Sequence, residues 1–421
     1  MKIYQVVLVL IFVSLIQPAI SQDFYKEVIE DTTLVKSGKV VGGFKQGLWI
    51  YKDSRGRYVA SGYFVDDTPD STWYLYKYKQ VAEQISLDMG VKSGSYLVFD
   101  QDVLPILHAH YKEDILDGEY VEFYADGSPA LTGFYKKGKK DSLWVEYDEY
   151  RRKTFEKRFK NGLASGKWAY YYYNGQASSI EHYQNDYLHG EVIAYDIRGN
   201  VKSSSVYKFG ALNGPYKEYF EDGKLSVEGQ YSSNQKTGVW IHMTEEGTVF
   251  SIGEYKNDLK HAHWKYFYVS GALQLEGKYL NDQKEGQWME YYESGKLKSI
   301  GSFKLDLKNG LWGHFYENGQ LMQDENWRNG YLMEVSEFYT EQGNKLPKGT
   351  LSKGNGLKYS YYPDGTLKAE ETYVAGYVEG PAKYYHDNGK LESQGSYKEN
   401  EPSGIWKYYN KRGKEILVKT F

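Results

Sequence analysis

Cysteine is absent from the 421-residue sequence, and only 9 residues are proline. The lack of cysteine excludes disulfides and a lipid-bearing cysteine, so the fold must be held together by packing. A net basic charge is also missing, because the formal net charge is −4 and the basic residues are scattered along the chain. Nucleic-acid binding usually requires a clustered basic face, so we expect no nucleic-acid partner.

Long apolar stretches are missing except at the N-terminus, where the apolar run Val6–Ile16 precedes the small-residue site Ala19–Ser21. This order is typical of a secretory signal peptide, so we expect residues 1–22 to be removed and the chain to be exported. The alternative is an uncleaved anchor helix, but the run is shorter than the ~20 residues that a membrane span needs. We expect no integral membrane span after cleavage. The absence of cysteine favours a bacterial periplasm, cell surface or exterior.

Tryptophan is present and periodic. Trp240, Trp264, Trp288 and Trp312 lie 24 residues apart. Extending this Trp column in both directions gives sixteen positions, at 49, 73, 97, 120, 144, 168, 192, 216, 240, 264, 288, 312, 336, 358, 382 and 406. A fixed period is the signature of a repeat protein.

Two further columns accompany the Trp column. Glycine stands seven residues after it in thirteen of sixteen units, and an aromatic residue stands fifteen residues after it in thirteen. The aromatic is missing at Asp88, Lys112 and Leu351, so we expect the units at 73, 97 and 336 to be degenerate, with bulges or bends nearby.

Two turns are predicted in each repeat. The first falls at the pairs Asp126-Gly127, Asn174-Gly175, Asp222-Gly223, Asn318-Gly319, Asp364-Gly365 and Asn388-Gly389. Such pairs favour type I′ hairpin turns, which need positive φ at both central residues. The second follows about eleven residues later, at Asn161-Gly162, Asn185-Asp186, Asn257-Asp258, Asn281-Asp282 and Asn329-Gly330.

These patterns predict an all-β fold: a single-layer, twisted antiparallel sheet of about sixteen 24-residue hairpin repeats. Residues 47–421 are expected to form the array, and residues 23–46 a lead-in of polar character. Alternate strand residues face opposite sides, so Trp288 and Glu290 should share one face while Tyr291 lies on the other. Both faces of the sheet are then aromatic.

The repeat units resemble a known family. Segments such as Gly286-Gln287-Trp288-Met289-Glu290-Tyr291-Tyr292 and Gly404-Ile405-Trp406-Lys407-Tyr408-Tyr409 are similar to the MORN (membrane occupation and recognition nexus) repeat in its bacterial variant form. The resemblance extends from about Gly47 to Phe421. It implies an array of hairpins with a binding or scaffolding role. Chains of this type are often catalogued as antitoxin components of toxin-antitoxin systems.

The aromatic columns have two interpretations, the core of a thin sheet or a ligand-stacking surface. Recurrence in nearly every unit favours the core. A single-layer sheet cannot bury both faces, however, so some aromatics should form an exposed binding strip. Clusters of additional tyrosines indicate the first places to look, at Tyr170, Tyr172, Tyr173, Tyr359, Tyr361 and Tyr362.

Signals for catalysis are missing. The pairs His108/His110 and His261/His263 should each place two imidazoles on one strand face, but they lack nearby cysteines and differ in repeat phase. No nucleophile elbow, phosphate loop or dinucleotide fingerprint occurs, because the glycines follow turn spacing. We therefore expect no enzyme activity, no metal site and no cofactor.

Binding remains as the expected function. The leading hypothesis is an exported repeat protein that binds another macromolecule along one face, with a protein as the favoured partner. A carbohydrate or cell-wall binding module and a toxin-antitoxin component are alternatives. A peripheral lipid binder is a further alternative, which the net acidity and the lack of a basic amphipathic stretch disfavour.

Overall fold

The structure is a computed structural model that describes residues 24–421. The predicted signal peptide lies outside the described residues. One helix, α1 (Phe24–Glu30), precedes the strands. Two compact units are distinguished, the first reaching Ala177 and including Tyr183–Asp186, the second comprising Ser178–His182 and Tyr187–Phe421. No helix within residues 24–421 is long and apolar enough to cross a membrane.

The strands follow one another without interruption by further helices in the described part of the chain. The first eighteen are β1 (Val35–Val41), β2 (Phe44–Lys52), β3 (Tyr58–Val65), β4 (Thr68–Lys77), β5 (Gln80–Asp88), β6 (Val91–Phe99), β7 (Pro105–Lys112), β8 (Ile115–Phe123), β9 (Pro129–Lys136), β10 (Lys139–Tyr147), β11 (Lys153–Lys160), β12 (Leu163–Ala164), β13 (Gly166–Tyr171), β14 (Ala177–Gln184), β15 (Tyr187–Leu188), β16 (Gly190–Tyr195), β17 (Val201–Lys208) and β18 (Ala211–Tyr219). The remainder are β19 (Leu225–Ser232), β20 (Gln235–Met243), β21 (Val249–Lys256), β22 (Leu259–Phe267), β23 (Leu273–Leu280), β24 (Gln283–Tyr291), β25 (Leu297–Lys304), β26 (Leu307–Phe315), β27 (Leu321–Arg328), β28 (Tyr331–Val335), β29 (Phe338–Tyr339), β30 (Lys345–Leu346), β31 (Gly356–Tyr361), β32 (Leu367–Val374), β33 (Tyr377–Tyr385), β34 (Leu391–Lys398), β35 (Glu401–Tyr409) and β36 (Glu415–Thr420).

The sheets are antiparallel and are built from neighbours in sequence. Strands β1 to β28 belong to a 28-stranded sheet, β29 and β30 form a two-stranded sheet, and β31 to β36 form a six-stranded sheet. The regular units are hairpins in which a strand with the Trp column pairs with the next strand, as β24 pairs with β25. The prediction of an all-β array of hairpin repeats is confirmed.

The first turn of the regular repeats is a three-residue loop. In the hairpin of β8 and β9, the Tyr124 amide donates to the Ser128 carbonyl and the Gly127 amide donates to the Tyr124 carbonyl. Gly127 has φ +77°, whereas Asp126 is not in the positive-φ region. The prediction of type I′ turns at these pairs is therefore wrong. The Asp126 carboxylate instead accepts the Ser128 amide at 2.8 Å, and glycine supplies the single left-handed residue of a bulged loop.

The second turn is the type I′ turn. Asn281 and Asp282 have φ +52° and +67°, and they connect β23 to β24 directly. The Asp282 carboxylate also accepts the backbone amide of Lys260 at 2.6 Å, which joins this turn to the preceding repeat. Equivalent bonds recur with 22-residue separation through both units. Because asparagine and aspartate tolerate left-handed backbone and carry a side-chain acceptor, they suit both tasks.

A bulge lies two residues before the Trp position in each regular repeat. Gly286 has φ +68°, and the register between β23 and β24 shifts beside it. In the repeat before, Ala262 occupies this place with φ +56°. The bulge lies between His261 and His263 in the chain. His108 and His110 do lie together, with ring centroids 4.8 Å apart.

The repeat phase differs from the predicted phase at one place. Tyr96, and not Leu97, occupies the Trp position, because it lies opposite Ala109 as the tryptophans lie opposite glycine. Tyr111 is its partner, with a ring-centroid distance of 5.7 Å, so this unit has its second aromatic after all. The shorter step comes from the preceding hairpin, which closes on a two-residue turn.

Helix α1 covers the start of the array. Tyr25 and Val28 are buried in the same cluster as Trp49 and Trp73. The Tyr25 hydroxyl donates to the Gly90 carbonyl at 2.9 Å. The predicted polar lead-in thus contains a helix and one complete strand of the sheet, β1. The helix is amphipathic because Tyr25 and Val28, three residues apart, share one helix face.

The unit predicted at 336 is irregular, as expected from its missing aromatic. Glu325 pairs with Val335 where other repeats pair glycine with tryptophan. Short strands β29 and β30 follow, and Leu332 and Leu351 are fully buried beside them. The six-stranded sheet begins only after this segment, so the regular ladder is interrupted here.

Candidate functional site

From Tyr216 to Trp312 the Trp column is packed in a continuous series of edge-to-face aromatic contacts. Tyr279 lies 5.0 Å from Trp288, which in turn lies 6.2 Å from Phe303, with interplanar angles of 84° and 89°. The Trp288 indole nitrogen donates to the Lys278 carbonyl at 3.1 Å. Trp240, Trp264 and Trp288 are each only 1% exposed. These tryptophans therefore form the core of the repeat, as their recurrence indicated.

Lysine side chains cover the tryptophans. Four residues before the Trp position, Lys236, Lys260, Lys284 and Lys308 place their ammonium groups 4.2 to 4.6 Å from the indole centroids of four successive repeats. Such cation–π contacts hold each aliphatic stem over the ring while the charge stays at the surface. We name this row of four lysines the lysine ladder.

A cleft opens over this part of the sheet. Its volume is about 460 Å³, and its polar lining includes Lys284, Lys308, Glu290 and His314. Glu290 is already engaged, because Lys298 lies 2.7 Å from its carboxylate. The cleft therefore presents two ammonium groups with one neutralised carboxylate, in a site whose floor is formed by Trp288 and Trp312.

Burial and neighbouring charges alter the titration of these groups. Burial lowers the pKa of both Lys284 and Lys236. Nearby carboxylates, such as Asp258 beside Lys236, raise the pKa, but their effect is smaller than that of burial. Burial also lowers the pKa of His242, and the positive charges of Lys236 and Lys260 lower it further. The second effect indicates a positive potential over this face of β20 and β22.

A buried carboxylate lies where the ladder ends. Glu325 contacts Lys358 at 3.0 Å, His314 at 3.2 Å and Lys308 at 3.6 Å, and it accepts the Trp327 indole N–H at 3.0 Å. Burial opposes its ionisation, but the His314 hydrogen bond and the lysine charges outweigh burial and hold the pKa of the carboxyl well below its ordinary value. Glu325 thus occupies the space that an indole fills in regular repeats.

A comparison with known protein families matches segments that are each about one repeat long. The family model described as the MORN repeat variant matches residues 116–137, 212–233, 284–305, 308–329, 355–375 and 378–399. Six segments of the chain are therefore similar to the MORN repeat variant. The match at 284–305 begins at the ladder lysine of its MORN repeat and ends within the type I′ turn after β25.

Other comparisons add no argument about these MORN repeats. No curated protein matches the chain. Among solved structures, S. aureus TarM is 16% identical with a TM-score of 0.17, over 33% of this chain and 24% of that one. The Photorhabdus luminescens Tc holotoxin pore is 12% identical with a TM-score of 0.14, over 95% of this chain and 28% of that one. The chain spans about a quarter of the length of these structures, and TM-scores this low carry no inference.

The first group of predicted tyrosines lies in the repeat that contains β12 and β13. Tyr170 is half-buried, with the Lys157 ammonium 5.0 Å from its ring. Tyr172 is half-buried and its backbone closes the first turn by bonding to Gln176. Only Tyr173 is strongly exposed, at 67%. The structure therefore presents one of these three rings freely to solvent.

The second group lies in the MORN repeat of β31 and β32. The Tyr361 hydroxyl donates to the Pro347 carbonyl at 2.7 Å, and the Tyr362 hydroxyl donates to the Tyr385 carbonyl at 2.8 Å. Tyr359 is half-buried. The Tyr362 bond recurs in other MORN repeats at the same 23-residue separation, so it joins successive repeats.

The lysine ladder was not singled out from the sequence, although its signal was present. Lysine stands four residues before Trp240, Trp264, Trp288 and Trp312. In simple alternation, a residue four before the Trp shares its face, but such a lysine could equally extend into solvent. Only the tertiary structure shows that the stem lies over the ring.

Proposed function

We propose that this protein is an exported, non-enzymatic binding scaffold, and that its ladder face binds a protein partner. The supporting observation is the row of half-buried lysines at one position in four successive repeats, above a sealed Trp core. Extended surfaces of stacked repeats are well suited to elongated partners. The polar groups stand in fixed positions, which reduces the entropy lost on binding.

The burial of the tryptophans favours a protein over a neutral glycan as partner. Sugar rings bind to accessible aromatic faces, whereas Trp240, Trp264 and Trp288 are covered and 1% exposed. The groups that remain accessible on this face are ammonium, imidazole, hydroxyl and carboxylate. Protein interfaces readily use such groups together with partly exposed tyrosines.

The first experiment is fractionation of the native host with site-specific photo-cross-linking. A photoreactive phenylalanine replaces Tyr266, on the ladder face, or the neighbouring Lys265, on the opposite face, as the matched control. We expect one recurrent envelope protein to be cross-linked through position 266 and not 265. Mass spectrometry should find the N-terminus near Gln22 or Asp23.

Other results would contradict parts of this proposal. A cytoplasmic chain that still begins at Met1 and carries a small toxic partner would support the antitoxin alternative. Retention on glycans, without a protein cross-linked at either position, would support the carbohydrate alternative. Cross-linking through position 265 alone would place the binding surface on the other face.

A further inference from the structure

The lysine ladder is a local positive surface on a chain of net negative charge. The formal charge of the whole chain is −4. Within residues 24–421, no carboxylate lies within ion-pair distance of the ammonium groups of Lys236, Lys260 or Lys284, while Lys308 contacts Glu325. These three lysines without an ion pair occupy successive repeats, and the Lys260 ammonium donates to the Tyr266 hydroxyl at 2.9 Å.

Spacing along the ladder is set by the sheet. Equivalent residues of neighbouring repeats are two strands apart, so the ladder lysines recur about every 10 Å. Four of them span roughly 30 Å, a length that an extended peptide of about nine residues covers. In a polyproline II conformation, with three residues per turn and a rise of about 3.1 Å per residue, every third side chain lies on the same side of the peptide, so carboxylates at that interval would meet successive ammonium groups.

We propose that the ladder face binds an extended acidic segment of the protein partner, with its carboxylates on Lys236, Lys260 and Lys284. This inference rests on the proposed function and specifies the chemistry of the partner. The cleft beside Lys284 receives the end of the segment, where His314 and Glu290 add polar contacts. Lys236 and Lys260 also place positive charge beside His242, whose pKa is lowered first by burial and then by these two lysines.

The limited length of the ladder favours a peptide over an acidic polysaccharide. Outside the ladder, the equivalent position holds lysine in separated repeats, at Lys45, Lys92 and Lys140, and it holds Ala164, Leu212 and Val378 in three others. A uniform polyanion would be matched by lysine in every repeat. The lining also includes Gln274 and Ser299, which recognise a defined polar sequence better than a repeating charge.

The test uses the full mature chain and a fluorescein-labelled oligoglutamate peptide of about ten residues, with binding followed by anisotropy. The variant K236Q/K260Q/K284Q removes three ladder charges. The matched control K256Q/K278Q/K304Q removes three exposed lysine charges from the same repeats. We expect the ladder variant to bind about tenfold more weakly and the control to change less than about twofold.

Further measurements separate charge from folding and from ligand class. K236R/K260R/K284R keeps the charges and should retain binding within about threefold, while urea unfolding checks that all variants fold. Equal weakening by both glutamine variants, or loss of binding in the arginine variant that remains folded, would overturn the inference. So would ladder-dependent binding of polygalacturonate without binding of oligoglutamate.

The two proposals fail in different ways. If a protein partner is cross-linked through position 266 but its affinity does not change in K236Q/K260Q/K284Q, the acidic-segment inference is wrong and the scaffold proposal stands. If oligoglutamate binds through the ladder but no protein partner is captured on this face, the scaffold proposal fails.

Discussion

Gly277 lies directly opposite Trp288 in the neighbouring strand, and a Cβ atom on Gly277 would lie 2.2 Å from Cδ2 of the indole. The same relationship joins Gly253 to Trp264 and Gly301 to Trp312. Gly277 does not have a positive φ, so its backbone conformation does not require glycine. Glycine is required because the Trp288 ring lies where a Cβ atom would be. The indole lies flat on the bare backbone, and the ladder lysine then covers its other side.

The close approach predicts that Gly277→Ala is destabilising. The added methyl group must displace the Trp288 ring, which overpacks the core and costs about 2 kcal/mol in the free energy of unfolding. Urea denaturation measures this cost. In a Trp288→Leu background the same alanine should cost less than half as much, whereas an equal cost in both backgrounds would show that the indole is not the cause.

The bulge at Ala262 predicts a stabilising substitution. Ala262 has φ +56°, where other repeats have glycine. Ala262→Gly should raise the free energy of unfolding by about 1 kcal/mol, because left-handed backbone is strained for a residue with a Cβ atom. Alanine to glycine at Ala272, which lies outside the positive-φ region, should destabilise instead. A loss of stability at both positions would contradict this account.

The turn bond between repeats predicts different outcomes for two substitutions at Asp282. Asp282→Asn keeps an acceptor for the Lys260 amide and should be nearly neutral, since Asn234 makes the equivalent bond. Asp282→Gly removes the acceptor without straining the positive φ, and should cost about 1 kcal/mol. Thermal or urea unfolding measures both. Equal stabilities would show that the bond between repeats contributes nothing.

The buried carboxylate predicts a pH dependence of stability. The pKa of Glu325 is depressed in the folded chain, so its stabilisation is fully present above its unfolded value of about 4.3 and is lost as pH falls through the folded value. The free energy of unfolding, measured from neutral to acidic pH, should therefore fall more steeply for the native chain than for Glu325→Gln. Parallel curves would contradict this prediction.

The partner lysine should matter at neutral pH. Lys358→Met leaves the Glu325 carboxylate with fewer counter-charges in a buried position, and we expect a loss of about 3 kcal/mol. Lys383→Met is the control, because its ammonium lies 4.0 Å from Glu370 at the surface and should cost less than about 1 kcal/mol. Similar losses in the two variants would show that burial of the pair is unimportant.

The predicted binding tyrosines should separate into structural and exposed positions. Tyr362→Phe removes the hydroxyl that donates to the Tyr385 carbonyl and should cost about 1 kcal/mol in stability. Tyr173→Ala should leave stability unchanged, because this side chain is 67% exposed. Urea unfolding of both variants provides the measurement. An unstable Tyr173→Ala variant would show that this ring packs against the sheet.

The sequence predicted the framework well because the repeat multiplies weak signals. Sixteen units, with 24-residue steps everywhere except from 97 to 120 and from 336 to 358, predicted the strands, the Trp core and the position of both turns. It predicted the wrong turn type at Asp126-Gly127, because the same pair suits a type I′ turn and a bulged three-residue loop. The sequence also placed the Trp column at Leu97 instead of Tyr96. The preceding hairpin is one residue shorter than the others, so counting 24 residues from Trp73 passes the correct position by one.

The sequence by itself determined the fold class, since the 24-residue period, two turn signals in each repeat and the aromatic columns together predict a hairpin array. Only the tertiary structure decided which side chains stay accessible. The sequence does not distinguish the environments of Lys284 and Tyr362. In the structure Lys284 covers an indole and keeps its charge at the surface, whereas the Tyr362 hydroxyl joins two repeats. That difference depends on contacts between residues far apart in the chain, which local spacing does not specify.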